Sequence, residues 1–247
     1  MISAELPASP DGLAFFLDVD GTLIDIAPTP DSVVVPAGLA ATVRRLAERA
    51  GGALALVSGR DVATMDRLFA PETFTAAGVH GSEYRMPGGE RVRLPVPSAL
   101  PGIKRELQAF VARKPGLLVE DKGYALALHY RLAPERANEV EAIMNHVVKL
   151  GADELALQPG KMVIEMRPRF ASKASALLRL MATPPFAGRK PVAVGDDLTD
   201  EGMLMAAKDM GGIAVGVGAG IIRPAERAQL ADPDAVREWI ARLADRR

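Results

Sequence analysis

The chain contains no cysteine, which removes disulfides and thiolate metal sites from consideration. Histidine is nearly as scarce. Only His80, His129 and His146 occur among 247 residues, so an imidazole-based zinc centre is disfavoured. Neither sign of charge dominates: 30 Lys and Arg stand against 31 Asp and Glu, a net of −1. The basic footprint that nucleic acids or anionic membranes require is therefore missing. The apolar runs fall far short of a bilayer-spanning helix. Met1–Pro10 lacks the basic stretch and apolar core of a secretory signal. These absences lead to the expectation of a cytoplasmic, soluble protein with no nucleic-acid or membrane partner; they leave oligomeric state open, a monomer included. Hydrophobic residues form 49% of the chain, enough for a packed core. The length suits one large domain or a domain carrying an insertion.

Four short apolar runs, Leu13–Leu17, Ala53–Val57, Val192–Val194 and Ile213–Val217, are continuous rather than alternating, as buried parallel strands are. Helical spacing separates them. One helix is expected from near Pro36, with Leu39, Val43, Leu46 and Ala47 on one face. A second is expected from Ser172 with Ala176, Leu177, Leu180 and Met181, and a third from about Pro233 with Val236, Trp239, Ile240 and Leu243. Alternating strand and helix specify an α/β fold, a Rossmann-like doubly wound parallel sheet. Between Pro101 and Arg167 the pattern becomes helix, Leu117–Lys122, Tyr124–Leu132, helix, Glu154–Gln158, Met162–Arg167. That αββαββ order predicts an antiparallel sheet with helices on one face, inserted as a cap domain. The expected division is residues 1–98 with 168–247 as core and 99–167 as insert. Pro95-Val96-Pro97 and Arg167-Pro168 mark the expected hinges.

Three strand ends are polar: Asp18, Ser58-Gly59-Arg60 and Gly195-Asp196-Asp197. Ligands of open parallel sheets bind beyond the carboxyl ends of strands, so these endings should converge on one crevice. Asp18 and Asp20 stand two apart in Phe15-Phe16-Leu17-Asp18-Val19-Asp20-Gly21-Thr22-Leu23, and strand alternation would put both on one side. Asp-x-Asp alone is also what an acidic strand-to-loop turn looks like. The chemical reading makes Asp18 a nucleophile toward phosphorus, Asp20 the acid/base, and Thr22 a residue that fixes the turn. Gly195-Asp196-Asp197-Leu198-Thr199-Asp200 adds a second acidic cluster, which could alternatively cap a helix. Crowded acids repel unless a cation lies among them, and Mg²⁺ suits an all-oxygen set. The expected ligands are the side chains of Asp18 and Asp196 and the carbonyl of Asp20, with Asp197 and Asp200 supporting them. Lys173, at a helix start where a cation is unfavourable, is explained if it faces phosphate and Asp18. A solvated lysine is the plainer alternative. His80 and Gly81, after Phe74–Val79, are read as lining the crevice between domains.

The order Asp18/Asp20, Ser58, Lys173, Asp196/Asp200 resembles the four-motif set of the haloacid-dehalogenase-like phosphatases. Within that superfamily the chain resembles the trehalose-6-phosphate phosphatases. The motifs that carry this are Val57-Ser58-Gly59-Arg60, Gly78-Val79-His80-Gly81, Glu120-Asp121-Lys122, His129-Tyr130-Arg131, Gly160-Lys161 with Glu165, and Gly195-Asp196-Asp197-x-Thr199-Asp200-Glu201. The resemblance implies an Mg²⁺-dependent phosphatase that passes through an aspartyl-phosphate and releases trehalose from a small-molecule sugar phosphate. It implies that Ser58 and Gly59 join Lys173 on the phosphate. It further implies that Glu120, Lys122, Lys161 and Glu165 bind the distal glucose, with Arg131 and His129 beside them. Strand alternation agrees in setting Leu126, Leu128 and Tyr130 opposite His129 and Arg131, and Met162, Ile164 and Met166 opposite Lys161 and Glu165. A solvated sheet face is the other reading of that polar side.

Other functions fit less of this pattern. A signalling receiver domain also gathers aspartates, a hydroxyl and a lysine around magnesium, but lacks the insert. A sugar-phosphate sensor without activity would not need every reactive side chain. Phosphatases for sucrose 6-phosphate or mannosyl phosphoglycerate, and sugar phosphomutases of the same superfamily, remain enzymatic alternatives.

Overall fold

The unbroken apolar run Leu13–Leu17 forms β1, fully enclosed on both faces at the centre of the larger sheet. The computed structural model describes residues 5–27, 32–160, 162–221, 223–224 and 227–245. Its chain divides into two units, residues 1–92 with 172–247, and residues 93–171. Among the described residues no helix is long and apolar enough to cross a membrane.

In the first unit β1 pairs in parallel with β2 (Leu54–Val57) on one side and, on the other, with the strand Lys190–Gly195, which is β10. Parallel pairing continues outward to β3 (Thr75–Gly78), β11 (Ile213–Val217) and β12 (Ala228–Leu230). Beyond β3 lie β4 (Glu83–Arg85), which is antiparallel, and β5 (Arg91–Arg93), giving an eight-stranded sheet in the order β12-β11-β10-β1-β2-β3-β4-β5. Successive residues of β1 serve opposite faces, as strand geometry requires. Phe15 packs toward Trp239 at 6.3 Å between ring centroids, and Phe16 toward Phe186 at 5.4 Å. Trp239 comes from the helix Pro233–Asp245, which covers one face together with α1 (Leu39–Arg49).

Helix α1 begins three residues after the expected Pro36. Gly38 adopts a left-handed φ of 80° and Leu39 N closes a turn on the Pro36 carbonyl, so the helical ladder opens only at Leu39. Helix α2 is Val62–Leu68, with Asp61 as its cap accepting from Thr64 N.

In the second unit α3 (Leu100–Val111), β6 (Leu118–Asp121), β7 (Leu126–His129), α4 (Ala137–Val147), β8 (Leu155–Gly160) and β9 (Val163–Pro168) follow one another. The sheet is antiparallel throughout, in the order β6-β7-β9-β8. Leu126, Leu128, Ile164 and Met166 pack on Ile103 and Leu107 of α3 and Val140 and Met144 of α4. Met162 does not join that apolar face as alternation predicted. Its φ of 61° turns it out of the strand path and leaves it 41% exposed. Nor does Arg167-Pro168 form a hinge, because Pro168 is the last paired residue of β9, opposite Leu155. The insertion returns to the first unit after Ala171 instead.

Leu128 is wholly enclosed between the two helices and the sheet of the second unit. Leu128→Ala should destabilise that unit by about 2–5 kcal/mol, the loss of a buried branched side chain plus its cavity. Urea unfolding followed by circular dichroism should show a lower midpoint at an unchanged slope.

Candidate active site

Where β1 ends, Asp18 N still donates to Val194 O at 3.0 Å, so the nucleophile candidate is fixed to β10 by its own backbone. The chain then winds tightly: Val19 O accepts from Leu23 N and Ile24 N, and Gly21 N donates to Ile24 O. Gly21 has a φ of 82°, and a Cβ there would lie 2.2 Å from Asp196 Oδ2. Only glycine meets both conditions. Thr22 Oγ1 donates to Asp196 Oδ1 at 3.1 Å, so the turn residue also ties the first motif to the last.

Lys173 opens α5 (Lys173–Met181), whose N-terminus is closed by a reciprocal pair of bonds between Ser172 and Ser175. With its backbone secured in that way, the buried lysine reaches two acids: Nζ donates to Asp18 Oδ1 at 2.7 Å and to Asp200 Oδ1 at 2.6 Å. The second oxygen of Asp200 accepts from the backbone N–H groups of Asp196 and Asp197, each at 3.2 Å. Asp200 thus shapes the loop after β10 and positions Lys173, at the start of α6 (Glu201–Asp209). Asp197 turns outward, where Oδ1 accepts from Thr199 N and Oγ1. Carboxylate oxygens of Asp18, Asp196 and Asp200 lie within 4.8 Å of one another.

Asp18 and Asp20 take different side-chain partners. Regular pairing of β1 stops at Leu17, so alternation no longer governs the side chains beyond it. The Asp20 carboxylate instead meets Arg60, with Nε to Oδ2 and Nη2 to Oδ1 both at 2.7 Å. Ser58, buried at the end of β2, accepts Arg60 N on Oγ at 3.1 Å and His80 N on its carbonyl at 3.0 Å. A Cβ on Gly59 would come within 2.8 Å of His80 Nε2, so the imidazole is seated on that glycine. Val79 and His80 both have positive φ, 47° and 52°, before Gly81 at 95°. For a β-branched valine that conformation is costly, on the order of 1–3 kcal/mol. Glu83 helps hold the loop in place by accepting Val62 N. Arg60 and Glu83 carried no role in the sequence reading. The clue available for Arg60 was its place directly after the hydroxyl of a strand-end motif.

In the second unit, β-register aligns Glu120, Ala127, Glu165 and Gln158 across the four strands on the face away from the helices. Lys122 Nζ donates to Glu165 Oε2 at 3.0 Å, and His129 Nε2 lies 2.8 Å from Glu120 Oε2. The bond to His129 holds the Glu120 carboxyl below its ordinary range, with Lys122 adding to it. Arg167 bonds Gln158 on the same sheet and was not anticipated there. Arg131 lies in the exposed turn after β7, and Lys161 lies outside the described residues. His146 is exposed on α4 beside Glu106.

The family profile described as Trehalose-phosphatase matches residues 16–225. The chain belongs to that family. It is 43% identical over 234 residues to a probable trehalose-phosphate phosphatase of Sinorhizobium fredii, covering 95% of this chain and 88% of that one. It is 39% identical over 237 residues to the trehalose-6-phosphate phosphatase of Escherichia coli, covering 96% and 88%. The solved C-terminal domain of C. albicans trehalose-6-phosphate phosphatase superposes with a TM-score of 0.81 at 25% identity, covering 94% of this chain and 92% of that one. This member of the trehalose-phosphatase family is a phosphatase, a phosphoric monoester hydrolase.

The electrostatics of the candidate site follow from its burial. Loss of water raises the Asp18 carboxyl well above its ordinary range, and the charge of Asp200 raises it further against the pull of Lys173. Asp200 is likewise raised by burial. Burial acts to lower the Lys173 ammonium, but Asp18 and Asp200 outweigh it and hold the group charged. Burial, then Asp200 and Asp197, push Asp196 up to about 6. One lysine does not balance this many acids, and an oxygen-only donor set suits a hard divalent cation.

A raised carboxyl makes the folded chain hold a proton that the unfolded chain has lost. Without a cation, stability contributed at Asp196 therefore falls as pH rises from about 4 to about 6. A cation displaces that proton, so its stabilising effect should grow over the same window. Thermal unfolding with and without millimolar Mg²⁺ should show a larger rise in Tm at pH 7.5 than at pH 5. Equal shifts at both pH values would contradict the assignment.

Proposed function

We propose that this phosphatase hydrolyses trehalose 6-phosphate to trehalose and inorganic phosphate through an aspartyl-phosphate on Asp18, with Mg²⁺ as its cation. The observation that carries the reading is the buried Lys173 joining Asp18 to Asp200 directly beside Asp196. In the first step an Asp18 oxygen attacks phosphorus, the bond from phosphorus to the sugar oxygen breaks, and Asp20 supplies the proton that oxygen needs. In the second, water attacks phosphorus, gives its proton to Asp20, and Asp18 leaves as a carboxylate. Side chains of Asp18 and Asp196 with the Asp20 carbonyl would hold the Mg²⁺, which when bound neutralises phosphate charge. Ser58, Gly59 and Lys173 bind the phosphate, while Asp197 and Asp200 keep their loop in shape.

The sugar is assigned to Glu120, Lys122, His129 and Glu165 of the polar sheet face of the insert, together with Lys161 and Arg131. His80 and Gly81, next to Ser58, complete the substrate contacts. The paired acids and bases of that face suit sugar hydroxyls, which both donate and accept. The names of the relatives, trehalose-6-phosphate phosphatases among them, support the same substrate.

A phosphate-release assay over trehalose 6-phosphate, sucrose 6-phosphate, glucose 6-phosphate and mannosyl phosphoglycerate tests this directly. Trehalose 6-phosphate should be the preferred substrate, with activity lost in chelator. Asp18→Asn should abolish turnover. Glu120→Ala, Lys122→Ala and Glu165→Ala should lower kcat/KM for trehalose 6-phosphate by about 10²-fold or more, since a site built to bond hydroxyls discriminates strongly. The same variants should keep most of any activity on a small aryl phosphate. An equal loss on both substrates, or an isomeric sugar phosphate as product, would overturn the reading.

A further inference from the structure

We propose that Arg60 is a positioning residue for Asp20, and that it serves the hydrolytic half of the reaction more than the first half. The inference rests on the reading of Asp20 as acid/base.

The Arg60 guanidinium and the Asp20 carboxylate meet as two forks, with both nitrogen-to-oxygen distances at 2.7 Å. Such a pair fixes the plane of a carboxylate, as a lysine's single point charge does not. Arg60 is itself secured. Its backbone N–H donates to Ser58 Oγ and its carbonyl accepts Val79 N at 2.9 Å. Its side chain is 13% exposed against 34% for that of Asp20. The turn that carries Ser58 and Gly59 is therefore also the mount that aims Asp20. Asp20 itself stands on a loop whose regular pairing has already ended.

A guanidinium fork weakens a carboxylate as a base, but it fixes the plane of the group and so aims its free lone pairs at an incoming proton. Each oxygen keeps a further lone pair outside the fork. When water attacks the phosphorus of the aspartyl-phosphate, its oxygen bonds to phosphorus and the phosphorus–Asp18 bond breaks. The electron pair returns to Asp18, and the water proton passes to an Asp20 oxygen that the fork still holds in place. Leaving-group protonation runs the other way. There Asp20 must carry a proton, and a fork that occupies both oxygens offers no help. Arg60 should consequently matter for breakdown of the phosphoenzyme and little for its formation.

p-Nitrophenyl phosphate separates the two halves, because its leaving group needs no proton. Here kcat/KM reports events up to formation of the phosphoenzyme, and a nitrophenol burst reports its accumulation. Arg60→Ala should lower kcat on the order of ten- to a hundredfold, part of the factor that a general base supplies. It should leave kcat/KM within about threefold and produce a burst approaching about one nitrophenol per enzyme. Arg60→Lys should recover part of kcat. Asp20→Asn should show the same burst with a larger loss, and adding Arg60→Ala to it should cost little more. If kcat and kcat/KM fall together with no burst, Arg60 acts on phosphate binding and the proposal is wrong. It is equally wrong if neither constant changes. If Asp20→Asn leaves kcat intact, the role given to Asp20 fails and the inference with it, an outcome distinct from failure at Arg60 alone. Thermal unfolding monitors the fold, and Arg60→Gln carries the same comparison should the alanine variant not fold.

Discussion

The site depends on one buried cation held between two buried acids. Lys173 bonds Asp18 on the loop after β1 and Asp200 on the loop after β10, and all three side chains are almost wholly out of water. Desolvating such charges is expensive, and each partner is tolerable only because the others are present. Removing the ammonium would leave adjacent acids uncompensated, a loss on the order of 3–5 kcal/mol for a broken buried pair. The network therefore joins two central parallel strands, the start of α5 and the start of α6 around one atom, Nζ. Thr22 to Asp196 adds a second tie between the same loops.

This arrangement gives the two aspartates of the first motif different surroundings. Asp18 is turned inward to Lys173, where burial and charge govern it, while Asp20 is turned to Arg60 and stays partly open to solvent. Two carboxylates that stand two apart in sequence thus occupy different environments. Different roles for chemically identical groups require that difference. The insert repeats the principle with weaker forces. Its polar face pairs Glu120 with His129 and Lys122 with Glu165, so each charge has a partner before any ligand arrives.

Much of this was legible in the sequence because the signals were local. Leu13–Leu17 and Ile213–Val217 are continuous apolar runs and are strands with those bounds. Ser172 announced the start of α5 because a serine cap acts on N–H groups three residues away. The apolar alternation of Leu126 and Leu128 on the helix side of the insert followed from strand period alone. What escaped was set by single backbone torsions or by distant partners. Gly38 delays α1, and the positive φ of Met162 removes it from the apolar face. The strands β4, β5 and β12 are three residues each, too short for a period to register. Arg60 meets Asp20 across 40 residues, a contact that no local pattern encodes. The gathering of Asp18 and Asp196 was foreseeable, since they end neighbouring strands, but the double duty of Asp200 toward Lys173 and the backbone was not.

The central claim is that Asp18 becomes covalently phosphorylated. Enzyme mixed with substrate and quenched within a turnover can be treated with borohydride, which reduces an aspartyl-phosphate to homoserine. Peptide mapping by mass spectrometry should then find homoserine at position 18, only when substrate was present. Homoserine at another aspartate, or none despite active turnover, would contradict the account.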